Sequence, residues 1–408
     1  MMSASSTTFS PLRHGPLRLF VCARAAATIA YQMAGVAVGW QIYDLTRNPF
    51  DLGMVGLVQF IPSLLLVLYV GHAADRYDRR RIVFLAQLAE AAALAGLAAF
   101  TLFSGMGRET IFLFLFVIGI ARAFEFSTLQ TLVPALVEPQ ALPQAMAATS
   151  SVRQAATIAG PLLGGLLYLA GPAAVYGVSA LLFACSAVII ALLPVKRSTA
   201  SREPATFRTL CAGIEFIRRH PVVLGALSLD LFAVLLGGAT ALLPIYARDI
   251  LFAGPLGLGM LRAAPALGAL TAALYLARFP LQRRVGRIMF ATVACFGLMT
   301  IVFALSRSMA LSFAALAVLG CVDMFSVVIR SSLVQLETPD EMRGRVSAVN
   351  AVFIGTSNEL GEFESGLTAA WFGAVPAALI GGVGTLVVVG IWIWRFPQLY
   401  RRERLHAD

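Results

Sequence analysis

The chain has 408 residues, of which 59% are hydrophobic and only 13% charged, and it carries a net charge of +10. Soluble domains carry about 25% charged residues. A composition this apolar excludes an ordinary soluble enzyme or nucleic-acid binder and points to a chain embedded in a bilayer.

A helix needs about 20 apolar residues to cross a hydrocarbon core of about 30 Å. Twelve such stretches follow in order: 17–43, 51–70, 82–104, 110–135, 146–169, 172–194, 221–247, 256–278, 287–306, 309–335, 345–372 and 376–396. They are long and continuous, unlike the short alternating segments of a membrane β-barrel. Residues 1–16 read as a tail, and the first stretch lacks a small-residue cleavage motif behind it, so it is expected to stay as an uncleaved span. A dense charged run, Gly71 to Arg81, separates the second and third stretches. In a chain this apolar it must face water on one side of the membrane.

Several charges fall inside the stretches. Such residues cost roughly 2.5–3.5 kcal/mol on insertion scales and are functional candidates. At 1.5 Å per residue, Arg122 lies about 18 Å, Asp230 about 14 Å, Asp323 about 20 Å and Glu359 about 21 Å from one end of its stretch. Arg122 and Glu125 are three apart and share a face; Asp323, Ser326 and Arg330 form a similar stripe. These groups either couple or bind a transported solute or form buried structural pairs. The lone Glu90 is about 12 Å deep and is expected to pair structurally. The fifth stretch carries Gly160, Pro161, Gly164 and Gly165, a composition suited to close helix packing and bending.

The longest polar interval, 196–220, divides the chain into six spans before it (17–195) and six after it (221–396), with 397–408 as a second tail. Within the interval, Phe207, Leu210, Ile214 and Ile217 recur at helical spacing and predict an amphipathic surface helix. Asn358, Glu359, Glu362 and Glu364 crowd the eleventh stretch. Three carboxylates this close cannot all ionise cheaply, which suits a group that loads and releases a proton. Holding a cation, or ion pairs with Arg24, Arg153 or Arg262, are the alternatives.

The two halves repeat each other. Leu52-Gly53-Met54 with Tyr69 matches Leu258-Gly259-Met260 with Tyr275. Gly119–Val133 aligns with Gly320–Val334, Pro139–Ala148 with Pro339–Ala348, and Gly160 and Gly165 with Gly361 and Gly366. The basic residues set an orientation. With both termini cytoplasmic, 22 of the 31 Lys and Arg fall inside. Only Arg47, Arg108, Arg248 and Arg307 fall outside, and five lie within spans.

The spacing Gly71-x-x-x-Asp75-Arg76-x-x-Arg79-Arg80, the repeat and the central linker resemble the major facilitator superfamily of transporters along nearly the whole chain. Gly119–Phe124, Gly160–Gly165, Asp230–Gly238, Leu261–Pro265 and Asn358–Gly366 resemble its bacterial branch containing the enterobactin exporter and macrolide efflux proteins. The resemblance implies an all-α fold of twelve helices in two pseudo-symmetric six-helix bundles, with a substrate site between them near the midplane. It also implies a gate latch in the 71–81 loop. Asp75 would face the start of the eleventh helix, and Arg76, Arg79 or Arg80 would pair with Glu138; a simple positive-inside anchor is the alternative. Asp78 departs from the glycine usual there, a change the turn can survive because Asp tolerates left-handed backbone. The fifth-helix pattern of drug–proton antiporters is half present, with Ala147 and Ala156 replacing its earlier glycines.

The expected function is proton-coupled export of a hydrophobic or amphipathic small molecule, a drug or siderophore, by alternating access. It would act as a monomer in a bacterial cytoplasmic membrane. Asp230, Glu359 and Glu362 are the proton or cation candidates; Arg122, Glu125, Asp323, Arg330 and Asn358 form the substrate or coupling network. Import by symport or facilitated diffusion is the alternative, and a non-transporting receptor or scaffold is the reading from another class. No nucleic-acid partner, metal or cofactor is expected. The only lysine is Lys196, so there is no phosphate-binding loop, and the four histidines lie in or near loops. The five cysteines are scattered singly.

Overall fold

The structure is a computed structural model that describes residues 15–103, 106–194, 207–281 and 283–405. Twelve long helices carry the fold: α1 (Gly15–Thr46), α2 (Pro49–Arg76), α3 (Arg79–Leu102), α4 (Arg108–Leu136), α5 (Leu142–Leu167), α6 (Pro172–Ala191), α7 (Pro221–Ile250), α8 (Gly254–Arg278), α9 (Val285–Leu305), α10 (Met309–Leu336), α11 (Asp340–Phe372) and α12 (Ala374–Arg395). Ten are long and apolar enough to cross a membrane by length and composition. The other two, α5 and α11, are the polar pair. α5 carries Thr149, Arg153, Gln154 and Thr157, and α11 carries Glu359, Glu362 and Glu364.

One expected span is broken. α7 is regular only as far as Leu236, then passes through Gly237 and Gly238 into 3-10 and wide turns. A methyl group at Gly238 would stand 2.5 Å from the carbonyl oxygen of Gly361. The paired glycines thus let α7 press its backbone against α11.

The packing repeats between halves. In the first, α1 packs on α5 and α6, α3 on α4 and α6, and α2 on α4. In the second, α7 packs on α11 and α12, α9 on α10 and α12, and α8 on α10. The halves meet where α2 lies along α11 and α5 along α8. At both seams glycine meets glycine. The Cα of Gly366 is 3.1 Å from where a methyl on Gly53 would stand, and the Cα of Gly259 is 3.3 Å from one on Gly165. These are the positions paired by the sequence repeat, Gly53 with Gly259 and Gly165 with Gly366. The two seams are therefore images of one another, and without bulky side chains the helices can approach closely.

The 71–81 segment and the linker helix (Phe207–Arg219) lie at the same end of the bundle as the termini, here the terminal end. The linker helix packs on α11 through Gly213, which lies against Arg345 and Val349, and through buried Ile217; Ile214 is exposed. The side chains of Phe207 and Leu210, and the whole of 1–14 and 195–206, lie outside the described residues. The segment after α12 does not trail as a tail. Leu399 is fully buried, Tyr400 packs edge-on against Phe290, and the carbonyl of Arg402 accepts from the N–H of Gly286 at 2.9 Å.

Candidate functional site: a charged cavity between the halves

A cavity of about 250 Å³ opens between the halves, lined from α1 (Tyr31, Gly35), α2 (Gly56, Gln59), α4 (Leu115, Ile118), α8 (Arg262) and α11 (Glu359, Glu362), among others. Small residues make room for its charges. The carboxylates of Glu359 and Glu362 both converge on Gly56, with Oε2 atoms 3.0 and 3.1 Å from where a methyl would stand. The Arg262 guanidinium reaches across the interface into the same space beside Gly35 and Gly39 of α1. A larger residue at Gly56 or Gly35 would displace a charged group.

Arg122 anchors the other flank. Its guanidinium carbon lies 3.6 Å from the centroid of the Tyr31 ring, a cation–π contact that holds a desolvated cation. Its Nη1 is 3.2 Å from Glu125 Oε2. Gln87 Nε2 donates to the other Glu125 oxygen at 2.8 Å, and the Tyr31 hydroxyl donates to Gln59 Oε1 at 3.3 Å. Electrostatically, Arg122 acts on Glu90 and Glu359, Glu359 on Glu362, and Glu362 on Arg262. The result is a string of charge from the core of the first half, across the cavity, to α8, with two adjacent carboxylates between two arginines.

The remaining candidates lie elsewhere. Asp230 pairs with Arg330 inside the second half, both largely buried. Asp323 joins Asp230 around a cavity of only about 10 Å³. Asp230, a proton or cation candidate from the sequence, is thus paired and enclosed and does not line the interfacial cavity. Glu364 accepts from Thr368 at 2.8 Å and does not line the interfacial cavity. Asn358 is exposed and does not line it either. Glu90 overturns its expectation in the other direction: it is fully buried, and neither carboxylate oxygen has a hydrogen-bond partner among the described residues. Tyr31, Gln59 and Gln87 escaped the sequence reading, although a glutamine in an apolar span was a usable signal.

Gly160 and Gly164 pack against α1 at Gln32 and Met33, while Gly165 and Pro161 face α8 at Leu256 and Gly259. In the 71–81 segment, Arg80 pairs with Asp78 at 3.2 Å and donates to the carbonyl of Leu193 at 2.8 Å. It does not pair with Glu138, which is exposed. Asp78 takes φ −63°, not a left-handed turn, and caps α3 by accepting from the Arg80 N–H. Burial pushes its carboxyl up, but the Arg80 hydrogen bonds and the Arg80 and Arg81 charges outweigh this and hold it below the usual carboxylate range. Gly71 lies on α2, and the Asp75 side chain lies outside the described residues. Arg76 is exposed and Arg79 is half-buried.

At the end of the bundle opposite the termini the halves are clasped. Arg47, just after α1, pairs with Asp249 of α7 at 3.3 Å, Arg248 pairs with Asp44, and the Tyr43 hydroxyl donates to Asp249 at 2.5 Å. Reciprocal ion pairs thus link the two halves on that side.

A family model described as "Transmembrane secretion effector" matches residues 6–405. The enterobactin exporter EntS of Citrobacter koseri is 26% identical over 397 residues, covering 96% of this chain and 94% of that protein. EntS of Escherichia coli O1:K1 is 26% identical over 381 residues, 92% and 90% of the two chains. Among solved structures, the nucleoside transporter NupG superposes with a TM-score of 0.76 at 14% identity, covering 94% of this chain and all of that one. A bacterial homologue of the human lysosomal transporter Spinster gives 0.72 at 13% identity, covering 96% and 97%. The chain belongs to the transmembrane secretion effector family and is a multi-pass membrane transporter of the major facilitator superfamily.

Proposed function

We propose that this transporter exports an amphipathic small molecule, of siderophore or drug type, in exchange for protons. The observation that carries the reading is the convergence of Glu359 and Glu362 on Gly56, in an interfacial cavity flanked by Arg122 and Arg262. Two neighbouring carboxylates hold one proton more readily than two negative charges. Loss of that proton strengthens the attraction to the flanking arginines, and gain of it releases them. A substrate with anionic or hydrogen-bonding groups would compete with the carboxylates for the same arginines. That competition couples proton and solute without both binding at once. The enterobactin exporters among the relatives support the siderophore side of the reading.

The excess of basic residues at the terminal end supports a cytoplasmic position for both termini, and the bacterial relatives support a bacterial cytoplasmic membrane. The distal clasp of Arg47, Asp249, Arg248 and Asp44 then closes the cavity from outside. Alternating access requires that clasp to open while the 71–81 segment and its arginines close the opposite end. The protein is taken to work as a monomer.

The test uses inside-out vesicles with an imposed proton gradient and a fluorescent pH reporter, challenged with catecholate siderophores, macrolides and lipophilic cations. The expected result is proton efflux triggered by one compound class, together with its accumulation in the vesicle. Solute movement that ignores the gradient would overturn proton coupling.

A further inference from the structure

A second, larger recess of about 680 Å³ lies outside the transport path, between α2, α3 and α4 at the terminal end. Its walls are apolar, from Ile82, Leu85 and Ala89 of α3, Val117 and Phe124 of α4, and Ala73 of α2. These residues lie on the sides of α3 and α4 away from the cores built by Leu94, Leu115 and Ile118. Leu85 is 60% exposed, so the recess faces the surrounding medium, which for a membrane protein at this depth is lipid. From its mouth at Arg81, the wall runs along α3 to Ala89, about 12 Å into the hydrocarbon.

The mouth is basic. Arg76 ends α2, Arg81 sits in the first turn of α3, and both are exposed and line the recess. Neither forms an ion pair among the described residues. The nearest carboxylate lining the recess, Asp78, is already occupied by Arg80. Tyr77 and Tyr69 flank the opening, each more than half exposed, and such aromatic rings favour the headgroup level. An apolar slot beneath two exposed guanidinium groups matches an acyl chain attached to a phosphate. Arginine forks suit phosphate oxygens.

We propose that this recess is a binding site for an anionic phospholipid, with an acyl chain between α3 and α4 and its phosphodiester on Arg76 and Arg81. The site lies on the segment that joins α2 to α3, so an occupied site would brace that segment against α4. The inference does not depend on the exported substrate or on proton coupling.

The test is native mass spectrometry of the purified full chain with added phosphatidylglycerol or phosphatidylcholine, with inorganic phosphate as a competitor. Retention of phosphatidylglycerol well above phosphatidylcholine is expected, unaffected by inorganic phosphate. Arg76→Gln and Arg81→Gln should each reduce the preference roughly fivefold, while Arg307→Gln, at the opposite end, should leave it unchanged. Equal retention of both lipids, competition by free phosphate, or a preference that survives the double Arg76→Gln/Arg81→Gln change would overturn the site. Should the double variant fail to fold, Leu85→Trp in the otherwise native chain reads the same recess. Brominated phosphatidylglycerol should quench that tryptophan more than brominated phosphatidylcholine, and equal quenching would contradict the proposal.

Discussion

The two halves bury similar charges and use them differently. In the first half, the Arg122–Glu125 pair opens toward the interface, where Tyr31, Glu359, Glu362 and Arg262 continue the string of charge. In the second, Asp230 and Arg330 close on each other, and Asp323 beside them looks into almost no space. Both sets lie well inside their spans; access to a cavity is what differs. A buried charge is a candidate for coupling only where something besides its partner can reach it. A fully enclosed pair instead binds helices together.

This contrast sets the size of the expected effects. The largest belongs to the enclosed pair. Removing one partner leaves an uncompensated buried charge, which costs about 3–5 kcal/mol. Arg330→Ala or Asp230→Ala should therefore cut folded yield and lower the unfolding temperature in detergent. The joint change Asp230→Leu/Arg330→Met should recover most of the loss. Failure of the double variant to recover would mean that these charges do more than neutralise each other.

Next comes the glycine seam. Gly165→Val would drive side-chain carbon into Pro255 and Leu256, with its Cβ 2.6 Å from the Pro255 carbonyl oxygen. The halves would be wedged apart at the distal end, and overpacking of this kind costs about 1–3 kcal/mol. Transport should be lost, and distal residues should become reactive to membrane-impermeant reagents. The image position, Gly366→Val, where a methyl would stand 2.6 Å from the Gly53 backbone, should do the same, because the two seams are related by the repeat.

The distal clasp should give a smaller change. Exposed ion pairs contribute about 0–1 kcal/mol each and weaken with salt. Asp249→Asn removes the negative charge paired with Arg47 and leaves Tyr43 only a neutral acceptor. It should leave folding intact while shifting the population toward distal opening, seen as faster labelling of a cysteine placed at the distal end. High salt should mimic part of the effect in the native chain. The smallest change is expected at the start of α3, where Asp78→Ala removes an N-cap worth about 1 kcal/mol. It should lower the unfolding temperature slightly, and Asp78→Gly should lower it less.

Much of the architecture was legible in the residues. Continuous apolar runs, the basic bias of alternate loops and the matched glycines were enough for twelve helices and two related halves. The break in α7 was not, because Gly237-Gly238 lies in an apolar run that reads as an unbroken span; the close approach of Gly361 at Gly238 and Pro244 a turn and a half further on account for it. The docking of residues 397–405 was hidden for a similar reason: it depends on backbone carbonyls meeting the free N–H groups at the start of α9. At the site, the charges themselves were visible, and so was the Arg122–Glu125 pairing, which follows from helical spacing. Contacts across helices were not. Periodicity gives the face of one helix but not which neighbour it meets, so Asp230 and Arg330 read as separate candidates on two helices and not as a pair. Glu90 read as paired for the same reason, and Tyr31 read as one more apolar residue until Arg122 was found over its ring.

The measurement that bears most directly on the central claim separates solute movement from proton coupling in one pair of variants. Glu359→Gln and Glu362→Gln, singly and together, would be compared with the native protein in reconstituted vesicles. Exchange of labelled solute across the membrane without a gradient would be measured beside accumulation driven by a proton gradient. The account predicts that the double variant still exchanges solute but loses at least ten-fold in gradient-driven accumulation. Gradient-driven accumulation undiminished in the double variant would contradict it, and would remove the two carboxylates of α11 from the coupling mechanism.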